Sequence, residues 1–80
     1  MNELKISIAG LGTVGSSFLS YLEKEINFLE NKLNKKISIL GICAKNKYKN
    51  RIFDISKYNW FNNPIDLINE TKPDVFIELI

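Results

Sequence analysis

The sequence predicts an α/β fold with a parallel sheet, and three features of the chain carry that prediction. An apolar, β-branched run, Lys5-Ile6-Ser7-Ile8-Ala9, ends abruptly on Gly10. Immediately afterwards the apolar period changes from that of a strand to that of a helix. Further apolar runs then follow, separated from the first by helical segments rather than by tight turns. Strands separated by helices cannot pair as hairpins, so they lie parallel, joined by right-handed crossovers. A length of 80 residues allows one small domain at most. Such a chain buries only somewhat over ~60% of its unfolded surface, which leaves a thin stability margin. Apolar residues make up 45% and charged residues 25%, a globular rather than a disordered composition.

Each element has a local reason. Residues 5–9 read as a buried strand closed by a turn. Val14, Phe18, Leu22, Ile26, Leu29 and Leu33 recur at spacings of three and four, the stripe of an amphipathic helix over 13–33, with Glu23, Lys24, Glu30 and Lys32 off the stripe. Asn34-Lys35-Lys36 ends that helix with a turn former and with cations suited to the carboxyl end of its dipole. The run 37–43 is a second strand, 46–58 a polar and aromatic loop, and Trp60-Phe61 a candidate short third strand. Asn63-Pro64-Ile65-Asp66 has the form of a helix start, with asparagine as cap, proline in the first helical position and an acid in the first turn. That helix should run to about residue 70 and stop at Lys72-Pro73. The run 75–80 is a last strand, and strand one should be central between it and strand two. The outer edge of the last strand is apolar and is expected to be a pairing or aggregation site.

The richest chemistry lies in Gly10-Leu11-Gly12-Thr13-Val14-Gly15. GxGxxG alone is a weak pattern, but here it directly follows an apolar strand and opens a long amphipathic helix. Gly10 lets the chain turn sharply, Gly12 leaves the backbone open to a pyrophosphate, and Gly15 lets the helix pack closely. The free N–H groups around Gly12, Thr13 and Val14 and the positive end of the helix dipole favour an anion there. Leu11 and Val14 flank the turn without recognition chemistry of their own. The predicted fold is therefore a partial Rossmann-type dinucleotide-binding fold, set against the alternative of a tight turn with no ligand. At the end of strand two, NAD-binding versions carry an Asp or Glu for the ribose 2′-hydroxyl. This chain has Cys43-Ala44-Lys45, and no carboxylate until Asp54. Lys45 and Lys47 are placed to meet a 2′-phosphate, so NADP is the expected cofactor, with NAD possible; the alternative is that both are ordinary solvated loop lysines.

Other features bound the function or stay open. The net charge of +2 does not argue for nucleic acid, although residues 31–53 hold seven cations and no acid. Cys43 is the only cysteine, so no internal disulfide forms and a reducing compartment, the cytoplasm, is the natural setting. The amino terminus has no signal-peptide pattern, and apolar runs of about six residues fall far short of the ~20 that span a bilayer. With no histidine and no second cysteine, zinc sites and Ser-His or Cys-His catalysis are excluded within the chain. Cys43, in an apolar strand without a base, reads as a small buried side chain rather than a nucleophile. Trp60 and Phe61 admit core packing or a cover for an adenine, with core packing preferred. Glu78, near the carboxyl end of the last strand, faces either the cofactor region or a backbone group in need of a cap.

Four segments together resemble the amino-terminal part of homoserine dehydrogenases. Ile6-Ser7-Ile8-Ala9-Gly10-Leu11-Gly12-Thr13-Val14-Gly15 is similar to that family's fingerprint, and Gly41-Ile42-Cys43-Ala44-Lys45-Asn46-Lys47 to its second strand and the small-residue-plus-base segment after it. Trp60-Phe61-Asn62-Asn63-Pro64 resembles an aromatic-acid-acid-proline segment with both acids replaced by asparagine. Pro73-Asp74-Val75-Phe76-Ile77-Glu78-Leu79-Ile80 resembles a strand ending in Val-Glu-Leu-Ile. GLGTVG with the terminal ELI in register is more specific than GxGxxG alone.

The resemblance implies NAD(P)-dependent interconversion of aspartate semialdehyde and homoserine, on the route to threonine and methionine. It implies cofactor contacts at Leu11, Thr13, Val14, Ala44 and Lys45. Lysine stands where many relatives have arginine, keeping the charge but not the planar fork. Family members are several times longer and are homo-oligomers. Their catalytic lysine, homoserine-binding carboxylates and dimerising sheet come later than this stretch, and a Gly-Gly pair near the nicotinamide directly follows Glu-Leu-Ile. Residues 1–80 are therefore expected to be the amino-terminal portion of an NAD(P)-binding domain, inactive alone. A standalone nucleotide-binding module and an inactive truncated remnant are the rival readings.

Overall fold

The computed structural model describes residues 2–45 and 55–80. The element order is β1 (Asn2–Ala9), α1 (Thr13–Leu33), β2 (Lys35–Cys43), a single 3-10 turn (Ile55–Lys57), β3 (Trp60–Phe61), α2 (Pro64–Thr71) and β4 (Val75–Glu78). The four strands form one parallel sheet in the order β3-β2-β1-β4. β1 is thus central, between β2 and β4, as the sequence predicts.

The connections explain the layers. From β1 the chain moves through α1 toward β2; from β3 it moves through α2 back across the sheet to β4. Right-handed crossovers running in opposite directions place their helices on opposite faces. Accordingly, Leu19 and Leu22 of α1 join Ile6, Ile8, Ile37 and Ile42 in the larger core. Leu67 of α2 packs with Ala9 and Cys43, flanked by Phe61 and Phe76, on the other face. Trp60 and Phe61 divide between the two cores, so both aromatics are packing residues.

Along β1 the alternation is regular, with Leu4, Ile6 and Ile8 toward α1 and Ser7 and Ala9 toward α2. Ser7 is fully buried and satisfied. Thr71 Oγ1 donates to the Leu67 carbonyl at 2.6 Å, which leaves Ser7 Oγ to donate to Thr71 Oγ1 at 2.7 Å. β2 breaks its alternation once. The register jumps from Ile6↔Ile39 to Ser7↔Gly41, so Leu40 is a bulge residue. Without that extra residue Ile42 would face α2; with it, Ile42 joins Ile37 and Ile39 on the α1 side. Gly41 then falls on the α2 side, where a Cβ would lie 2.7 Å from Phe61 Cε2 and 2.8 Å from Leu67 Cδ1.

The helix caps behave as the sequence indicates, except that Lys35 and Lys36, expected to end α1, are already the first residues of β2 and Lys32 is the cation of the last helical turn. Asn34 ends α1 in the left-handed region at φ 53°, its N–H donating to the Glu30 carbonyl. Asn63 caps α2, its side-chain oxygen accepting from the Asp66 N–H at 2.8 Å. One part of the α1 prediction is corrected. The buried face is Gly15, Leu19 and Leu22, flanked by Phe18, Ile26 and Leu29; Val14 is 65% exposed and Leu33 48% exposed. Val14 lies about 100° around the helix from Gly15, which faces the turn it closes on, and so falls off the buried face, whereas Leu33 shares the face of Gly15 and is exposed at the last turn.

Candidate functional site

In open parallel sheets ligands bind outside the carboxyl ends of the strands, where the strand order reverses. Here that point is the carboxyl end of β1, with β2 on one side and β4 on the other. The turn from Gly10 into α1 sits on it. Gly10 has φ +100°, and a Cβ there would meet the Leu79 carbonyl carbon at 2.7 Å and the Ile80 nitrogen at 2.8 Å. Gly10 therefore serves the turn and the close approach of the chain leaving β4. A Cβ on Gly15 would lie 1.8 Å from the Gly10 oxygen, so the first turn of α1 rests directly on the backbone of the glycine loop.

Gly12 is different. A Cβ there would meet nothing within 4 Å, and the residue borders an open cavity. It is also the N-cap of α1, with no side-chain cap and no acid in the first turn. Among the described residues, no side chain caps the first N–H groups of the helix, which stand at the positive end of a 21-residue dipole. The loop itself is held by the Gly10 N–H donating to the Cys43 carbonyl at 2.8 Å and Ser16 Oγ donating to the Leu11 carbonyl at 2.7 Å. The Leu79 N–H donates to the Ala9 carbonyl at 2.8 Å, prolonging the β1–β4 contact past the end of β4.

The cavity has a volume of about 870 Å³ and is built from four strand ends. Gly10, Leu11 and Gly12 come from the turn after β1, and Cys43, Ala44 and Lys45 from the end of β2. Asn62 and Pro64 follow β3, while Leu79 and Ile80 follow β4. The structure thus brings together Gly10, Leu11, Gly12, Ala44 and Lys45 of the residues the sequence singles out. Thr13 and Val14 are exposed at the helix start and do not line the cavity; Gly15 is buried beneath the turn. Leu11 does double duty, lining the cavity while 3% exposed in the core. Lys47 lies outside the described residues. Asn62, Pro64, Leu79 and Ile80 are added by the structure. The carboxyl-edge rule would have found them, had the strand after β2 been fixed in register.

The remaining candidates resolve by geometry. The Cys43 thiol is buried and pushed above its ordinary value by desolvation, which keeps it protonated and unreactive. Glu78 accepts from the Ile80 N–H at 3.0 Å, so of its two roles the structure displays the backbone cap. Away from the cavity, Tyr58 donates to Glu23, and Lys57 Nζ lies 2.5 Å from the same carboxylate. Burial, that hydrogen bond and the Glu23 charge all hold the Tyr58 hydroxyl protonated. These contacts tie the segment before β3 to α1. No helix among the described residues is long and apolar enough to cross a membrane.

The sheet order and the glycine turn at its switch point define a Rossmann-type α/β unit. The chain is similar over its full length to homoserine dehydrogenases. It is 28% identical over 80 residues to the homoserine dehydrogenase of Bacillus subtilis (strain 168), covering all of this chain and 18% of that protein. Two crystal structures of S. aureus homoserine dehydrogenase superpose closely. The one at pH 6.5 has a TM-score of 0.83 and 33% identity over 98% of this chain; the one at pH 7.5 has 0.84 and 32% over 96%. The match falls on their amino-terminal Rossmann-like region. The chain spans about a fifth of the length of these relatives. No family model matches it.

Proposed function

We propose that residues 1–80 are the amino-terminal, cofactor-holding portion of an NAD(P)-binding domain in a homoserine dehydrogenase. The whole protein would interconvert aspartate semialdehyde and homoserine in the cytoplasm. The observation that carries the reading is Gly12. It is a residue whose missing side chain serves no packing purpose, at an uncapped helix start facing a cavity. A turn needed only for packing would show its glycines crowded, as Gly10 and Gly15 are; an open Gly12 is what a pyrophosphate approaching the backbone requires. The homoserine dehydrogenase relatives support the same reading.

In this reading the N–H groups at Gly12, Thr13 and Val14 hold the pyrophosphate, with Gly10 and Gly15 shaping the turn and Leu11 walling it. Ala44 leaves room beside the adenosine ribose. Lys45, exposed at the end of β2, meets a 2′-phosphate, so NADP is preferred and NAD is tolerated. The bound nicotinamide supplies or accepts the hydride. These residues orient the cofactor and contribute no acid, base or substrate contact, so this portion alone is inactive.

The test is to titrate NADPH and NADH against the protein and its Lys45→Ala variant. Loss of one charge-assisted contact should weaken NADPH roughly 10- to 100-fold and leave NADH nearly unchanged. Equal losses for the two would remove the 2′-phosphate role, and binding of neither by the unaltered protein would remove the cofactor reading.

A further inference from the structure

We infer that Asn62 is a second specificity-determining residue at the adenosine end of the cavity, acting beside Lys45. The inference rests on the cofactor reading above. The β2–β3 register pairs Ile42 with Trp60 and Cys43 with Phe61. The next residues of these two parallel strands, Ala44 and Asn62, therefore leave the sheet side by side at its carboxyl edge, with Lys45 one step further on. Ala44, Lys45 and Asn62 all line the cavity, and Asn62 is exposed.

The neighbouring asparagine cannot play this part. The Asn63 oxygen accepts from the Asp66 N–H at 2.8 Å and its amide donates to the Asp66 carboxylate at 3.0 Å, so its side chain is occupied in capping α2. Asn62 makes no hydrogen bond among the described residues. Among the described residues lining the cavity, Lys45 carries the one charged side chain and Asn62 the one neutral polar side chain besides the buried thiol of Cys43.

That pairing has a chemical consequence. A carboxylate at position 62 would accept from ribose hydroxyls and repel a phosphate dianion a few ångströms away, which favours NAD. A carboxamide carries no charge, and its N–H groups donate to phosphate oxygens. Lys45 supplies the attraction for the 2′-phosphate. Asn62 supplies a donor and keeps the neighbouring strand end free of negative charge. Discrimination between the two cofactors is thus shared by the ends of β2 and β3 rather than set by β2 alone.

The experiment compares the unaltered protein with Asn62→Asp and Asn62→Ala. NADPH and NADH are titrated by nicotinamide fluorescence. Adenosine 2′,5′-bisphosphate and 5′-AMP are titrated by calorimetry, to read the adenosine end alone. Asn62→Asp should weaken NADPH and the bisphosphate roughly tenfold or more, and further at low salt, while NADH and 5′-AMP hold or tighten. Asn62→Ala, which adds no charge, should weaken the 2′-phosphorylated ligands roughly threefold to fivefold and spare the others. If the unaltered protein binds NADPH and neither variant changes the NADPH-to-NADH ratio, the role of Asn62 is overturned and the cofactor reading stands. If the unaltered protein binds neither dinucleotide, the cofactor reading falls and this inference with it.

Discussion

Three glycines within six residues have separable jobs, and substitution should tell them apart. Gly15→Ala puts a methyl where the Gly10 oxygen already lies, 1.8 Å away, so the helix must shift; the expected loss is about 1–3 kcal/mol in urea denaturation. The Cβ of Gly12→Val meets nothing within 4 Å, so the change should cost no more than the roughly 1 kcal/mol of a poorer N-cap residue while abolishing NADPH binding. A stability loss at Gly12 equal to that at Gly15 would mean that both are packing residues. Cys43 supplies a pH test. Its thiol is held above the usual range by burial, so at pH 8 the folded protein should react with iodoacetamide far more slowly than the urea-unfolded chain. Because the folded state holds this proton more tightly, the associated stability is complete below the ordinary thiol range and is lost as pH rises through the elevated value. Tyr58 shifts in the same direction, so stability measured against pH should decline above about 9.

At the scale of elements, α1 is the informative case. Periodicity locates a helix over Thr13–Leu33 correctly, but the face it buries is chosen by Gly15. Leu19→Ala should therefore cost about 2–5 kcal/mol, since Leu19 is fully buried between α1 and the sheet. Val14→Ala, at 65% exposure, should change stability by less than about 0.5 kcal/mol. Thermal or denaturant unfolding of the two variants decides it. A buried face that included Val14 and left out Leu19 would give the reverse order. The bulge at Leu40 is the corresponding decision in β2. Strict alternation through Ile37, Ile39, Gly41 and Cys43 reads as one face, whereas the bulge divides those residues between the two cores.

For the whole molecule, the opposed crossovers sandwich one four-stranded sheet between two helices and open the cavity where the strand order turns back. A folded stretch of 80 residues has little stability to spare, so ligand linkage should be conspicuous. NADPH at about 100 times its dissociation constant should add about 2.7 kcal/mol, and raise the melting temperature by roughly 10–20 °C, by mass action on the folded state alone. Differential scanning fluorimetry with NADPH, NADH and no ligand measures this. A midpoint indifferent to both cofactors would count against the cavity as their site.

Local signals determined a great deal of this protein. The strand-to-glycine-to-helix passage, the Asn63-Pro64 helix start and the apolar runs located the four strands and both α-helices, because each depends on the chemistry of a few adjacent residues; the 3-10 turn at Ile55–Lys57 falls in a segment that reads as loop. The parallel order with β1 central also followed, since helical crossovers leave few topologies open. The places of Lys45 and the glycine turn at the cavity were legible for the same reason: each lies at the end of a strand. The tertiary structure alone decided which side chains share a space. The rotation of α1 depends on the contact between Gly15 and the Gly10 carbonyl, the flip of β2 on a register jump against β1, and the place of Asn62 on its alignment with Ala44 across β3. Each is a pairing between residues distant in sequence or turned by a single step of register, and no local pattern encodes the register in which two strands or a helix and a loop finally meet.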